Sequence, residues 1–327
     1  MRVVITGGGG FIGSNLARRL VDIGMSVVVL DDFSTGDRQN LATVDAEVVE
    51  ASILNAEALD DALRDADGVV HLAALPSVPR SIADPLATHE ANASGTLQVL
   101  EAARRQGVGY IAVASSSSVY GANHTIPKTE DLAPMPMSPY AVSKLATESY
   151  ALAYAACFGL DVLALRFFNV YGPFQRAGHA YAAVIPAFVT AALADEPLTI
   201  NGDGTQTRDF TFVGSVEAVL TEALQNRISS PRPVNLAFGT RISLLELVTE
   251  LEGVLGHRVT VRHAEERIGD VRHSQADSTH LSQLFPELRP VSLLTGLSTT
   301  VDWFKSELEL STTGAHGRVP DRPDDLT

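Results

Sequence analysis

Tyr140 and Lys144 lie four residues apart. Four residues is about one helical turn, so on a helix the phenol and the ammonium share a face. A phenol with an ordinary pKa near ~10 is a poor base at neutral pH. A fixed ammonium beside it favours the phenolate and brings it toward the range in which it can take a proton from an alcohol. Upstream, Ser115-Ser116-Ser117-Ser118 follows the apolar run Tyr110 to Ala114 and leads into Val119-Tyr120-Gly121. From there Ser116 can hydrogen-bond the oxygen that Tyr140 deprotonates. A Tyr-x-x-x-Lys pair alone is common on helices, so the chemistry depends on the elements that position it.

Those elements begin at residue 2. Val3-Val4-Ile5 is an apolar β-run, Thr6 to Gly13 is a glycine-rich turn, Leu16 to Leu20 opens a helix, and Val27 to Leu30 ends in Asp31-Asp32. This is a βαβ unit for a dinucleotide. Glycines let the backbone approach a pyrophosphate, which the N–H groups and partial positive charge at the helix start receive. Gly8, Gly10 and Gly13 fit G-x-G-x-x-G, and Gly7, Gly10 and Gly13 are also spaced by threes, so the pattern leaves the subclass open. Asp31 falls 31 − 10 = 21 residues after Gly10, at the next strand end, where the fingerprint places an acid. A carboxylate there accepts hydrogen bonds from a ribose 2′-hydroxyl and repels a 2′-phosphate, which favours NAD over NADP.

The rest of the chain alternates in the same way. Asp67 to Leu72, Tyr110 to Ala114 and Asp161 to Arg166 read as buried strands, and Ala87 to Gln106 and Tyr140 to Cys157 as helices closed by Gly107 and Gly159. Strands separated by helices imply a parallel sheet covered on both faces. The reading is α/β, a Rossmann-type doubly wound parallel sheet with a smaller C-terminal substrate-binding domain. Residues 1–168 form the cofactor domain, with strands returned from about 205–238; residues 169–308 form the substrate portion and 309–327 a disordered tail. At 327 residues the chain exceeds one typical domain. A net charge of −15 argues against nucleic acid. No run reaches membrane-spanning length, and Met1 leads straight into a strand, so a cytoplasmic protein without a signal peptide is expected. The single cysteine, Cys157, excludes an internal disulfide framework and reads as a small core residue. His71 reads as a satisfied strand histidine, Tyr120 as an aromatic packed beside the serine loop, and His179, His263 and His273 show no metal-ligand spacing.

With the glycine turn and the Ser–Tyr–Lys set in one chain, the sequence from Met1 to about Lys305 resembles the extended short-chain dehydrogenase/reductase family, and within it the UDP-galactose and UDP-N-acetylglucosamine 4-epimerases. The resemblance implies NAD as cofactor, with contacts from Gly7, Gly10, Phe11, Ile12, Gly13, Asp31, Leu72, Ala73, Ala74, Asn92, Tyr140 and Lys144. Ser52-Ile53 stands where the family usually has Asp-Ile against the adenine, so the acceptor for the adenine amino group is missing. The implied catalytic residues are Ser116, Tyr140 and Lys144. The implied UDP-sugar contacts are Ser77, Arg80, Ser116, Ser117, Tyr140, Asn169, Arg176, Arg208, Arg267, Asp270 and Ser274. Two of these, Arg208 and Arg267, suit a diphosphate, which guanidiniums can fork bidentately. Relatives are homodimers joined by the two helices 87–106 and 140–157.

The implied reaction is reversible C4 epimerisation of a UDP-hexose through a 4-keto intermediate. Arg176 sits where UDP-glucuronate 4-epimerases of the family carry an arginine for the substrate carboxylate, which makes that substrate the alternative. Ala180 to Pro186 and Ser77 to Ser81 instead resemble the N-acetylhexosamine epimerases. A sugar-nucleotide 4,6-dehydratase has Asp-Glu directly after its catalytic Ser/Thr, and a UDP-glucuronate decarboxylase also places a Glu there. Here those positions are Ser117 and Ser118, which leaves elimination without an evident proton donor. A non-catalytic NAD-sensing module would have no use for an intact Ser116, Tyr140 and Lys144.

Overall fold

The computed structural model describes residues 1–176, 183–265 and 272–312. Six strands alternate with helices through the first half: β1 (Arg2–Thr6), β2 (Ser26–Asp31), β3 (Glu47–Glu50), β4 (Gly68–His71), β5 (Tyr110–Ser116) and β6 (Asp161–Phe167). Short strands follow: β7 (Val170–Tyr171), β8 (Leu198–Asn201), β9 (Thr207–Arg208), β10 (Thr211–Phe212), β11 (Val234–Leu236), β12 (Ile242–Ser243) and β13 (Val261–Ala264). The main sheet has the order β3-β2-β1-β4-β5-β6-β11, and every pair in it is parallel. From the 205–238 segment β11 joins this sheet, whereas β9 pairs with β12 and β10 with β7. The strand order reverses between β1 and β4, the switch point where parallel sheets open a ligand crevice.

The helices are α1 (Phe11–Asp22), α2 (Ala56–Ala62), α3 (Val78–Ala83), α4 (Pro85–His89), α5 (Gly95–Gln106), α6 (Pro139–Phe158), α7 (Val184–Leu193), α8 (Val213–Asn226), α9 (Leu244–Leu255), α10 (Thr279–Leu284) and α11 (Leu293–Thr312). Alternation along β1 decides which face each residue serves. Val3 and Ile5 meet Leu16 and Leu20 of α1 and Val216 and Leu220 of α8. Val4 meets Leu59 of α2, Val99 and Leu100 of α5 and Tyr154 of α6 on the opposite face. Each such fully buried side chain stabilises the fold by about 1.5–3 kcal/mol. A third core joins Phe188 and Val189 of α7, Leu198 and Ile200 of β8, Leu247 and Leu251 of α9 and Val301 of α11.

Three expectations are corrected. The single helix 87–106 is two α-helices joined by a π-helical turn, Glu90–Ser94. Cys157 is exposed, because it lies on the final turn of α6, off the stripe that carries Ala151 and Tyr154 into the core. The tail expected from 309 is helical through Thr312, and residues 313–327 lie outside the described ones.

Candidate active site

The glycine turn closes β1 onto α1. Gly7 has φ +72° and its oxygen accepts from Gly10 N–H at 3.2 Å. A Cβ on Gly13 would fall 2.4 Å from that same oxygen, so α1 can start this close to the strand only without one. Gly10, the N-cap of α1, has no side chain to cap the first-turn N–H groups. The donors at Phe11 and Ile12 are therefore available to an anion. Asp31 ends β2, and its carboxylate accepts from Gly9 N–H and Phe33 N–H, both at 2.8 Å. Burial raises its pKa against those two bonds. Each carboxylate oxygen keeps a second lone pair for a ribose hydroxyl. This chain therefore fits a dinucleotide. Ile53 is buried against Gly95, and the Ser52 hydroxyl accepts from Leu54 N–H at 3.2 Å. Asn92 is buried and bonds both backbone groups of Leu75, just beyond Leu72-Ala73-Ala74.

Ser116 ends β5 at the carboxyl edge of the sheet, and its Oγ accepts from Ser118 N–H at 3.1 Å. Tyr140 and Lys144 occupy the first turns of α6, whose N-cap Ser138 accepts from Ala141 N–H. β5 and α6 bring the Ser116 hydroxyl close enough to the Tyr140 phenol to favour its ionised form. Burial raises the Tyr140 pKa and the Ser116 hydroxyl opposes it. The expected lowering by Lys144 is not what dominates in the chain alone. Lys144 Nζ donates to Ala114 O at 2.9 Å, and burial pushes its pKa down to about 8.

The remaining expected residues divide. Asn169, at φ +30°, donates to Asp209 O at 3.1 Å. Ser274 N–H bonds Thr207 O at 3.0 Å, which places Ser274 beside Arg208, whose Nη1 donates to the carbonyls of Thr207 and Arg272. Ser117 begins the 3₁₀ turn after Ser116. The Ser77 hydroxyl instead caps α3 by accepting from Arg80 N–H, and Arg80 is exposed. Arg176 forms an ion pair with Asp37 in the loop after β2. Arg267 and Asp270 lie outside the described residues.

Two positioning groups escaped the sequence reading. Asp209, fully buried, accepts from Thr240 Oγ1 at 2.8 Å and Ala276 N–H at 3.0 Å, tying together the segments that carry Arg208 and Ser274. Burial raises its pKa to about 6 despite these bonds. Glu148, one turn beyond Lys144, takes two bonds from Arg166 of β6, at 2.7 and 3.0 Å, and one from Ser115 Oγ at 2.7 Å. The spacing from Lys144 to Glu148 was a readable signal; the partner on β6 was not. Among the described residues no group of three or more His, Cys, Asp or Glu side chains could hold a metal.

A switch-point glycine turn beside a Ser–Tyr–Lys set defines a Rossmann-type enzyme that oxidises or reduces at an alcohol carbon. The chain belongs to the NAD dependent epimerase/dehydratase family, whose profile matches residues 3–237. It is 36% identical over 314 residues to the UDP-glucose 4-epimerase of Mycolicibacterium smegmatis, covering 94% of this chain and 99% of that one. Its structure is similar to that of UDP-N-acetylglucosamine 4-epimerase from Methanobrevibacter ruminantium in complex with UDP-N-acetylmuramic acid, at a TM-score of 0.88 and 35% identity over 94% of this chain and 98% of that one. It is also similar to a Bacillus cereus UDP-glucuronic acid 4-epimerase in complex with UDP-glucuronic acid and NAD, at a TM-score of 0.84 and 33% identity over 94% of this chain and 100% of that one. No described helix is long and apolar enough to cross a membrane.

Proposed function

We propose that the chain catalyses reversible C4 epimerisation of a UDP-hexose with resident NAD, the N-acetylglucosamine/N-acetylgalactosamine and glucose/galactose pairs being its substrates. The observation that carries this reading is the meeting of Ser116, at the end of β5, with Tyr140 and Lys144 in the first turns of α6, with Ser117 and Ser118 where elimination would need an acid and a base. Bound NAD supplies the acceptor for the C4 hydride and a positive ring charge that opposes the burial penalty on the Tyr140 phenolate. Tyr140 takes the proton of the 4-hydroxyl, Ser116 holds the oxygen, and Lys144 tunes Tyr140 and anchors the nicotinamide ribose. The 4-keto sugar turns about its diphosphate linkage, and Tyr140 returns the proton when the other face is reduced. The division of labour is a cofactor portion at 1–168 and a substrate portion at 169–308, with Asn169, Arg208, Arg267, Asp270 and Ser274 around the UDP-sugar.

Exposed apolar side chains on α6 (Val142 at 51% and Tyr150 at 42% exposure) and just before residue 87 (Leu86 at 81%) support a homodimer through the 87–106 and 140–157 stretches, and the composition supports a cytoplasmic location. Incubation with UDP-glucose, UDP-N-acetylglucosamine and UDP-glucuronate, with chromatographic separation of products, tests the function. The 4-epimers of the first two are expected. Conversion of glucuronate alone moves the assignment to that substrate, and no epimer from any of them refutes it.

A further inference from the structure

His71 ends β4 at 2% exposure and has no part in the chemistry above. Each ring nitrogen faces a threonine: Nδ1 is 2.7 Å from Thr6 Oγ1 and Nε2 is 3.0 Å from Thr96 Oγ1. The surroundings fix the tautomer. Thr96 Oγ1 lies 2.5 Å from the carbonyl oxygen of Asn92, which can only accept, so the Thr96 hydroxyl donates there. Thr96 therefore receives its bond from His71, whose Nε2 carries the hydrogen. Nδ1 is then an acceptor, and the Thr6 hydroxyl donates to it while accepting from Ala73 N–H at 3.4 Å. The hydrogen bonds run one way, from Ala73 through Thr6, His71 and Thr96 to the Asn92 carbonyl. Burial and the nearby Lys144 ammonium hold the His71 pKa at about 3, so the imidazole stays neutral, as this arrangement requires.

The two ends of this chain lie on the cofactor face. Thr6 precedes Gly7, where a Cβ would fall 2.6 Å from Ala73 N. Asn92 sits in the π-helical turn, in which Gly95 N–H reaches back to Glu90 O, and a Cβ on Gly95 would fall 2.4 Å from Ile53 Cδ1. The Asn92 side chain bonds Leu75 and, at 3.0 Å, Ser143 Oγ, next to Lys144. The glycine turn, the Leu72–Leu75 strand end and the Asn92–Gly95 turn are thus tied through one ring. We infer that His71 is a positioning residue for the dinucleotide, setting the spacing of the three segments that receive it. This rests on the NAD reading above.

The test is calorimetric titration with NAD of the full-length protein freed of nucleotide, alongside kcat at saturating NAD. His71→Leu removes both bonds, and a tenfold or greater rise in the Kd for NAD is expected, with kcat falling by a smaller factor. His71→Asn keeps an acceptor for Thr6 and His71→Gln a donor for Thr96, so each recovers part of the affinity. Thr96→Val preserves volume and carries the test if His71→Leu does not fold, with a threefold or greater weakening expected. Leu251→Ala, a cavity in the distant third core, lowers thermal stability with no change in Kd. A Kd within twofold of wild type in Thr96→Val and in the folded His71 variants overturns the inference, as does equal weakening in Leu251→Ala. Absence of NAD binding by the wild-type chain instead refutes the cofactor reading, and the inference falls with it.

Discussion

Replacing Glu148 with Leu should destabilise the protein by about 3–5 kcal/mol, the usual cost of stripping one partner from a buried ion pair. Both side chains of the Glu148–Arg166 pair are 3% exposed, and Arg166 Nη1 is already buried without a partner. Burial alone would lower the Arg166 pKa, yet the bonds from Glu148 carry it above its ordinary value. Without Glu148 the guanidinium stays in the interior with only the Tyr120 ring, 4.7 Å away, over its face. At ~2.1 cal/mol/K per residue the unfolding entropy of the 327-residue chain is about 0.7 kcal/mol/K. The predicted cost therefore appears as a loss of about 4–7 °C in Tm, measured by calorimetry under reversible conditions. Turnover should fall too, since Ser115 Oγ donates to Glu148 at 2.7 Å and so fixes α6 against β5 close to Lys144. The double variant Glu148→Leu/Arg166→Met replaces the pair with apolar volume and should be more stable than Glu148→Leu alone. The reasoning fails if Glu148→Leu lies within about 1 kcal/mol of wild type, or if the two substitutions add without coupling.

Tyr140→Phe should leave NAD bound while epimerisation drops by about 10²–10⁴-fold, the span of a general base; near wild-type turnover removes Tyr140 from the mechanism. Ser274→Tyr should abolish turnover of the N-acetylated UDP-sugars and spare UDP-glucose/UDP-galactose, since a pocket rejects bulk by overlap more sharply than it rejects a missing group. Unchanged kcat/KM ratios mean that position 274 does not wall the pocket. A last prediction concerns acid. His71 is neutral in the native state down to about 3, while the unfolded chain takes up that proton below the ordinary 6.5. The unfolded state thus binds more protons between these values, and stability falls as pH falls through them. At pH 5 the shortfall is about 2 kcal/mol, from 1.5 units at ~1.4 kcal/mol each. The stability advantage of wild type over His71→Asn should shrink by that amount between pH 7.5 and 5, and a constant difference in urea melts contradicts it.

What the sequence shows and what it hides follow from the range of the interactions. The glycine turn, Asp31, and the Tyr140 and Lys144 pair are set by neighbours within one turn or one βαβ unit, so their spacing alone carries the information. The Asn92 turn breaks that rule within a helix. Apolar periodicity from Ala87 to Gln106 is compatible with one α-helix, and in the π-turn the Asn92 carbonyl instead meets the hydroxyls of Thr96, from the next turn, and Thr147, from α6. Arg176 shows the same limit at longer range. Beside Gly172-Pro173 it resembles a substrate residue, and its ion-pair partner, Asp37, is 139 positions away, in a region where Asn15 Nδ2 of α1 also holds the Pro173 carbonyl at 3.0 Å. Asp209 is the sharpest case. Next to Arg208 it could equally have been a second ligand group. Only the meeting of residues 209, 240 and 276 in space shows a carboxylate consumed by the backbone and Thr240, holding those three segments together from within.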